Sequence, residues 1–319
     1  MSSLYKCTSK NIENAATALK NGYLVSFPTE TVYGLGADPL NRKAISNIYR
    51  VKSRPTDHPL IVHISSRQNL GKWAQNIPNY AFLLAENFWP GPITLILQRT
   101  KLAKNYITGG QDKVGIRVPD QKTALHLLKK FEFIGGLGIA APSANKFGAV
   151  SATSAEDVLD EIGDRLSVKD IVLNGGKCKV GLESTIIDCT RNIPSVLRPG
   201  AITIEMIEQI TGMPVILNSK NKIKVSGKFE SHYSPKAKII IGNNAKLGDG
   251  FVALRTNPTP SGAIRLAKPK DVNEFASQLY KSFRDADKRK IKNLFILIPE
   301  GTGLATAIKD RVLKASKKT

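Results

Sequence analysis

The sequence predicts an α/β protein in which a twisted, mostly open sheet is followed by a smaller, parallel α/β unit. Short apolar segments typical of strands alternate with longer segments whose apolar residues recur at helical spacing. A polar, charged stretch without periodicity, from Leu217 to Pro235, separates the two patterns. The 319 residues suffice for two ordinary domains. We place these at 1–216 and 237–319, with a linker at 217–236.

The N-terminal pattern opens with a helix and a strand. Apolar residues lie at helical spacing over residues 9–20, Gly22 ends this helix, and residues 23–27 form an apolar run typical of a strand. Further helices are predicted at 41–51, 79–88, 203–211 and after Ser154, and further strands at 60–64, 93–97, 114–118, 171–173, 184–188 and 195–197. This mixture indicates a twisted α/β sheet.

The C-terminal pattern alternates strands with helices. Strands are predicted at 238–241, 251–255 and 293–298, and helices at 271–287 and 303–317. Phe275 and Leu279 lie on one face of the first helix, while Asp271 and Glu274 stand at capping-box positions. Alternation at this spacing favours a small parallel sheet.

Composition excludes several classes of protein. The chain is 41% hydrophobic and 23% charged, as globular proteins are, and its apolar runs are too short to span a bilayer. The N-terminus lacks the apolar core of an export signal, so we expect a cytoplasmic protein with no membrane partner. Cys7, Cys178 and Cys189 form no C-x-x-C pair, and the four histidines form no zinc motif. We therefore expect free thiols and no metal held by the protein.

The formal net charge of +21 favours a polyanionic partner such as RNA. A solvated basic face would account for the same charge. Charge alone therefore leaves RNA binding open.

The segment from Pro28 to Asp38, P-T-E-T-V-Y-G-L-G-A-D, gives the strongest chemical signal. Its hydroxyls and carboxylate follow a predicted strand, where open α/β sheets bind ligands. Gly34 and Gly36 permit a backbone to approach closely. Such a turn can hold the ammonium and hydroxyl groups of an amino acid, and a tight structural turn is the alternative.

Three cations lie in unusual contexts. Lys52 and Arg54 follow a helical pattern on a segment that we interpret as non-helical, where they can converge on a polyphosphate such as that of ATP. A solvated pair is the alternative. Arg117 lies within an apolar strand and therefore needs an anionic partner, from the protein or from a ligand.

Small residues and hydroxyl side chains lie at the ends of the later predicted strands. The A-P-S-A-N segment at 141–145 and Ser151 suit a nucleotide that lies against the backbone, and G-L-E-S-T and L-R-P-G add hydroxyls and Arg198. Two other patterns are discounted. The G-x-G-x-x-A match at 136–141 runs into Pro142, so no helix opens there for a pyrophosphate, and the S-x-x-K match lacks the elements that accompany a Ser/Lys nucleophile.

Taken in order, these motifs resemble the YrdC/Sua5 family, the threonylcarbamoyl-AMP synthases. They are P-T-E-T-V-Y-G-L-G-A, K-x-R-P, P-L-I-V-H-I, W-P-G-P-I-T-L-I, G-I-R-V-P, A-P-S-A-N, G-L-E-S-T-I-I-D and L-R-P-G along residues 10–212, with the Sua5-like linker H-Y-S-P at 232–235. The resemblance implies a YrdC-type sheet and a Rossmann-like Sua5 domain. It also implies a nucleotidyl transfer in which L-threonine, bicarbonate and ATP, with Mg²⁺, give threonylcarbamoyl-AMP and pyrophosphate, the first step of tRNA t6A modification.

The resemblance further implies the site residues, with Lys52 and Arg54 as catalytic groups. The residues that would contact threonine are Thr31, His63, Arg117, Ala141 and Ser184. Those that would contact ATP are Lys52, Arg54, His58, Lys113, Ser143, Ser151, Arg198 and Tyr233, the last as a lid from the linker. No protein nucleophile is needed, since positioning and charge stabilisation do most of the work.

Beyond its substrates, the implied partners are a t6A transferase protein of the Kae1/TsaD type and tRNA. The chain departs from the family pattern at His58, where a small polar residue such as Asn is usual. An RNA-binding module of the same fold is the competing function, and it would need no cations inside a pocket. A carbamoyl-transfer maturation factor is disfavoured because its zinc-finger and acylphosphatase segments are missing.

Overall fold

The structure, a computed structural model, describes residues 3–217, 223–225 and 233–317. The helices of the N-terminal part are α1 (Ser9–Lys20), α2 (Arg42–Lys52), α3 (Leu70–Trp73), α4 (Asn79–Phe88), α5 (Asn105–Thr108), α6 (Lys122–Phe133), α7 (Ala155–Ile162) and α8 (Ile204–Thr211). Its strands are β1 (Ser3–Lys6), β2 (Val25–Phe27), β3 (Gly34–Gly36), β4 (Ile61–His63), β5 (Ala74–Gln75), β6 (Ile93–Arg99), β7 (Lys113–Arg117), β8 (Ile139–Ala140), β9 (Ile171–Asn174), β10 (Thr185–Asp188), β11 (Ser195–Arg198) and β12 (Ile216–Leu217). The C-terminal part contains β13 (Lys238–Ile241), β14 (Gly250–Val252), β15 (Ile264–Ala267), α9 (Val272–Lys288), β16 (Asn293–Ile296) and α10 (Leu304–Ser316).

The N-terminal strands form two linked sheets. One has the strand order β1-β9-β2-β3, and the other has the order β12-β11-β10-β6-β7-β4-β8, with β5 paired to β6. Both contain parallel and antiparallel pairs; β7, for example, runs parallel to β4 and antiparallel to β6. Bridges from Gly34 to Ser143 and from Ala37 to Ala140 link the two sheets. This is the mixed α/β architecture that the sequence predicts.

Capped, amphipathic helices cover these sheets. The Thr8 hydroxyl accepts a hydrogen bond from the Asn11 backbone N–H at the start of α1, and the Ser154 side chain forms a capping box with Asp157 at the start of α7. The apolar faces of α1 and α6 pack into one cluster with residues of β2, β8 and β9. Burial of those faces, more than helix propensity, holds the helices in place.

The C-terminal strands form a parallel sheet with the order β13-β16-β14-β15. Apolar residues of α9 and α10 pack with those of the sheet, and Val32, Val150 and Leu182 of the N-terminal part belong to the same cluster. The two parts therefore share a core.

The predicted helices are confirmed to within one or two residues. The helix predicted at 9–20 is α1, and those at 41–51, 79–88, 271–287 and 303–317 are α2, α4, α9 and α10. The predicted strands are present and differ mainly at their ends; the strand expected at 251–255, for example, is β14. The elements that were not predicted are helices α3, α5 and α6 and strands β1, β3, β5, β12 and β15. The proposed domain boundaries stay a prediction.

Two local predictions were wrong. Residues 34–36 are a strand rather than part of a turn, because β2 pairs antiparallel with them. A Cβ at Gly36 would lie 2.7 Å from Ile139 Cγ2, so this glycine serves the close packing of strands. Lys52 is the last residue of α2 rather than a residue of a non-helical segment, and the left-handed Ser53 ends the helix after it.

Cys178 and Cys189 are buried, Cys7 is half-buried, and all three are free thiols, as expected. In the part of the chain that the structure describes, we find no helix that is both long and apolar enough to cross a membrane.

Candidate active site

A polar cleft lies where the two linked sheets meet. Its walls come from the loop after β2, the ends of β4 and β7, the segment after β8, the residues just before β10 and the end of β11. Seven predicted site residues line it: Thr31, His63, Ala141, Arg117 and Ser184 from the threonine set, and Ser143 and Arg198 from the ATP set. The cleft therefore brings together all five residues of the predicted threonine site.

The loop after β2 presents two hydroxyls to this cleft. The Thr29 hydroxyl donates to the Val32 carbonyl at 2.6 Å and lies 2.8 Å from the Thr31 hydroxyl. The backbone N–H groups of Thr31 and Val32 lie 3.2 Å from the same Thr29 oxygen. These bonds fold the loop into a turn closed by a side chain, which fixes the direction of Thr31.

Arg117 finds its anionic partner in Glu30. Nη2 of Arg117 lies 2.7 Å from Oε1 of Glu30, and the two side chains are 5% and 4% exposed. The contact is an ion pair without an aligned hydrogen bond. A protein carboxylate thus meets the requirement for a partner at Arg117, and Arg117 also lines the cleft.

His63 and Arg117 stand side by side because β4 and β7 run parallel with these residues in register. Burial, together with the adjacent Arg117 guanidinium, lowers the pKa of His63 to about 3. The imidazole is therefore neutral near pH 7, and its ring meets Phe27 edge-on at 5.9 Å. A neutral imidazole leaves Arg117 as the cation at this point of the cleft.

Arg198 and Ser184 form the opposite wall. Nε of Arg198 donates to the Ser184 carbonyl at 3.1 Å, and its Nη2 donates to the Ser184 hydroxyl at 3.2 Å. The Ser184 hydroxyl also lies 2.7 Å from that of Thr94, one strand away on β6. Burial lowers the pKa of Arg198, which remains a cation aimed at the cleft.

Lys52, Arg54 and His58 lie behind Ser143, outside the lining of the cleft. The Lys52 ammonium donates to the Ser143 carbonyl at 2.6 Å and to the Asn145 carbonyl. Burial, with Arg54 nearby, holds the pKa of Lys52 well below its usual range. The guanidinium of Arg54 lies 5.8 Å from the Phe147 ring centre, and the His58 ring meets the same ring edge-on. Both cations are buried, so the solvated-pair alternative is wrong.

The remaining predicted ATP residues, Ser151, Lys113 and Tyr233, also lie outside the lining of the cleft. Ser151 donates to Glu183, which lines the cleft. Lys113 begins β7 and Arg117 ends it, so the two side chains share a face about 13 Å apart along the strand. Tyr233 is 1% exposed and packs against the C-terminal part.

The described linker residues 223–225 lie on the same sheet face. Ile223 and Val225 pack with Ile96 and other apolar side chains of that face. The Gln111 side chain exchanges two hydrogen bonds with the Lys224 backbone, of 2.9 and 3.1 Å. His232, the other aromatic residue of the linker motif, lies outside the described residues.

Sequence reasoning missed Glu183, Tyr280 and Arg311 as residues of this region. Glu183 was present in the G-L-E-S-T motif but received no role. Arg311 lies among apolar residues at helical spacing on α10, between Ile308 and Ala315. A charged residue on an apolar face was the signal that could have identified it.

A larger cavity of about 530 Å³ lies between α7 and α9. Lysines such as Lys177 and Lys281 stand at its edge, and none of the predicted site residues lines it. Its most buried cation, Arg284, already contacts Asp157 and Glu161. The predicted site residues therefore gather at the smaller cleft and not at this cavity.

Comparison with known proteins identifies relatives along almost the whole chain. The family model described as Telomere recombination, which covers Sua5, YciO and YrdC, matches residues 17–200, and the model of the threonylcarbamoyl-AMP synthase C-terminal domain matches residues 202–317. The threonylcarbamoyl-AMP synthase of Pyrococcus abyssi is 35% identical over 96% of this chain and 94% of its own length. That of Bacillus subtilis is 35% identical over 96% of this chain and 92% of its own length.

Two solved structures share the fold of this chain. The crystal structure of P. abyssi Sua5 complexed with L-threonine has a TM-score of 0.89 at 33% identity, covering 99% of this chain and 98% of that one. Escherichia coli YciO, at 24% identity and a TM-score of 0.54, shares the fold over 63% of this chain. With sequence matches across both parts and a solved structure that superimposes on almost every residue, the chain belongs to the Sua5/YrdC family.

Proposed function

We propose that this protein is an L-threonylcarbamoyladenylate synthase. It joins L-threonine, bicarbonate and ATP into threonylcarbamoyl-AMP and releases pyrophosphate and water. The observation that carries the proposal is the cleft itself, in which the five predicted threonine residues and two predicted ATP residues lie together. The relatives that match nearly the whole chain are named for the same synthesis.

On the threonine side, Arg117 attracts the substrate carboxylate while Glu30 balances its charge. The hydroxyls of Thr31 and Ser184, which line the cleft, bond the substrate hydroxyl, and neutral His63 adds no competing charge. The P. abyssi relative has been solved in complex with L-threonine, which supports L-threonine as a substrate of this chain.

On the nucleotide side, cations converge behind the cleft. Lys52 and Arg54 lie beside the Ser143 loop, and Arg198 faces it across the cleft. Burial removes water from these groups, so a phosphate that enters gains strong charge-assisted bonds. Binding of a phosphate anion would also raise the pKa of Lys52 toward its usual range.

The reaction proceeds by positioning rather than through a covalent enzyme intermediate. The threonine amine attacks bicarbonate to form a carbamate with loss of water, and the carbamate oxygen then attacks the α-phosphate of ATP, so that pyrophosphate leaves. Cations near the phosphates stabilise the charge that develops in the second step. We find no group of three or more His, Cys, Asp or Glu side chains in the described ranges that could hold a metal, so Mg²⁺ would enter with ATP, held by phosphate oxygens and water.

The product supplies the t6A modification of tRNA, and a transferase of the Kae1/TsaD type consumes it. A cytoplasmic location fits this role and stays a prediction, as does direct contact with tRNA. The charge of +21 supports an encounter with a polyanion.

Calorimetry with L-threonine, L-serine and L-valine tests the amino acid site. Valine has the shape of threonine without its hydroxyl, so we expect its Kd to be at least about tenfold higher, because it forms no hydrogen bond with the hydroxyls of Thr31 and Ser184. Equal Kd values for threonine and valine would remove the hydroxyl contacts from the proposal. Pyrophosphate release that needs both threonine and bicarbonate is the matching test of activity.

A further inference from the structure

The C-terminal part reaches the cleft through a buried arginine. Arg311 of α10 is 0% exposed, and its Nε lies 2.7 Å from Oε2 of Glu183, a residue that lines the cleft. Its Nη2 donates to the Pro199 carbonyl at 3.1 Å, next to Arg198. One guanidinium from the C-terminal part therefore contacts both segments that carry the wall of the cleft.

Helix α9 adds a second contact to the same carboxylate. The Tyr280 hydroxyl lies 3.1 and 3.0 Å from the two oxygens of Glu183. Ser151, a predicted ATP residue, donates to Oε1 at 2.6 Å. Burial favours the neutral acid, but the Arg311 and Arg198 guanidiniums and the hydrogen bonds from Ser151 and Arg311 outweigh it and lower the pKa of Glu183 to about 2. Glu183 is thus an anion whose direction is fixed from three sides.

The backbone before Glu183 fits closely against α9. Gly181 has φ +74°, and a Cβ there would lie 2.6 Å from the Cα of Ser277. Only glycine satisfies both conditions. The G-L-E-S-T segment therefore serves as the joint between the two parts of the protein, with its Ser184 facing the cleft.

Tyr233, the predicted lid residue, packs against Arg311 and Tyr280. The guanidinium of Arg311 lies 5.1 Å from the ring centre of Tyr233, and the Tyr280 ring stacks on Tyr233 at 5.7 Å with an interplanar angle of 25°. A cation over one aromatic face and a ring against it restrict the tyrosine to one orientation.

We propose that Arg311, with Tyr280, is a positioning residue for the nucleotide side of the site: the C-terminal part sets the orientation of Glu183, Ser151 and Tyr233. The inference rests on the function proposed above. A purely structural salt bridge between the two parts would stabilise the protein without changing how ATP is used. Arg311 holds the carboxylate of Glu183, which lines the cleft and binds Ser151. Loss of Arg311 therefore changes the site as well as the stability of the protein.

Three variants and a control test this inference on the full-length chain. Arg311→Met removes the cation, Arg311→Lys keeps the charge but loses the fork geometry, and Tyr280→Phe removes only a hydroxyl. Lys309→Met, at an exposed position of the same helix, is the matched control. The measurements are kcat and KM for ATP from pyrophosphate release, Kd for L-threonine by calorimetry, and Tm.

We expect the KM for ATP to rise about tenfold in Tyr280→Phe and more in Arg311→Met, with partial recovery in Arg311→Lys. The Kd for threonine should change less than twofold, because Thr31, His63 and Arg117 are untouched. Lys309→Met should match the wild type.

An unchanged KM for ATP in Tyr280→Phe and Arg311→Lys, with only a lower Tm, would overturn the positioning role and leave the synthase proposal standing. If Arg311→Met does not fold, Tyr280→Phe and Arg311→Lys still distinguish a positioning role from a purely structural one. A wild-type protein that releases no pyrophosphate would overturn the proposed function, and this inference with it.

Discussion

The buried pair of Arg117 and Glu30 gives the most quantitative prediction. The two charges lie 2.7 Å apart with their side chains 5% and 4% exposed, so removal of either one strands the other away from water. Such a loss costs about 3–5 kcal/mol, which corresponds to a fall in Tm of about 6–20 °C for a domain of this size. We therefore expect large, similar losses in Arg117→Met and in Glu30→Gln.

Urea unfolding of the two single variants and of the double variant measures this coupling. The double variant should be less destabilised than the sum of the single variants, by about 2–3 kcal/mol. The exposed pair of Lys130 and Glu13, at the same 2.7 Å, is the matched control and should give less than about 1 kcal/mol. Additive losses at Arg117 and Glu30 would refute the argument that burial gives this ion pair its strength.

Three further predictions follow from the geometry. Lys52→Met should reduce pyrophosphate release about 100-fold or more and lower Tm, whereas Arg50→Met, exposed on the same helix, should do neither; equal activities would remove Lys52 from the site. Because His63 has a pKa of about 3 when folded and about 6.5 when unfolded, its contribution to stability is complete above pH 6.5 and is lost as pH falls toward 3. The fall in unfolding free energy from pH 7 to 4.5 should thus be smaller in His63→Gln by about 2–3 kcal/mol, and an identical fall would contradict neutral burial. Gly181→Ala should lower Tm more than Gly212→Ala, since both glycines have positive φ but only at Gly181 would a Cβ clash with the backbone of α9. Equal losses of Tm would contradict the close contact between Gly181 and α9.

The sequence was sufficient where local chemistry decides the structure. Caps and apolar faces predicted α1, α4 and α9 within one or two residues. Strand β3 was missed because Gly-Leu-Gly has no strand propensity, and only its pairing with β2 makes it a strand. Helix α6 had the signal, since Ala124, Leu127 and Phe131 lie at helical spacing, and it was overlooked.

The sequence predicted which residues line the site better than it predicted which of them contact one another. Ordered motifs identified the residues that line the cleft, and each residue was recognised from the motif in its own segment. The pairing of Arg117 with Glu30 depends on the position of β7 relative to the loop after β2, which no local pattern encodes. The contact of Arg311 with Glu183 depends on how the two parts dock. Such partners become visible only when distant segments are placed together.

The most direct test of the central claim is to incubate the purified protein with Mg·ATP, L-threonine and ¹³C-bicarbonate and to identify the products by mass. The account predicts an adenylate that carries both threonine and one ¹³C atom, formed together with pyrophosphate, and much less of the corresponding valine adenylate when valine replaces threonine at the same concentration. No such adenylate, with tight, salt-sensitive RNA binding in its place, would contradict the account and favour an RNA-binding module of the same fold.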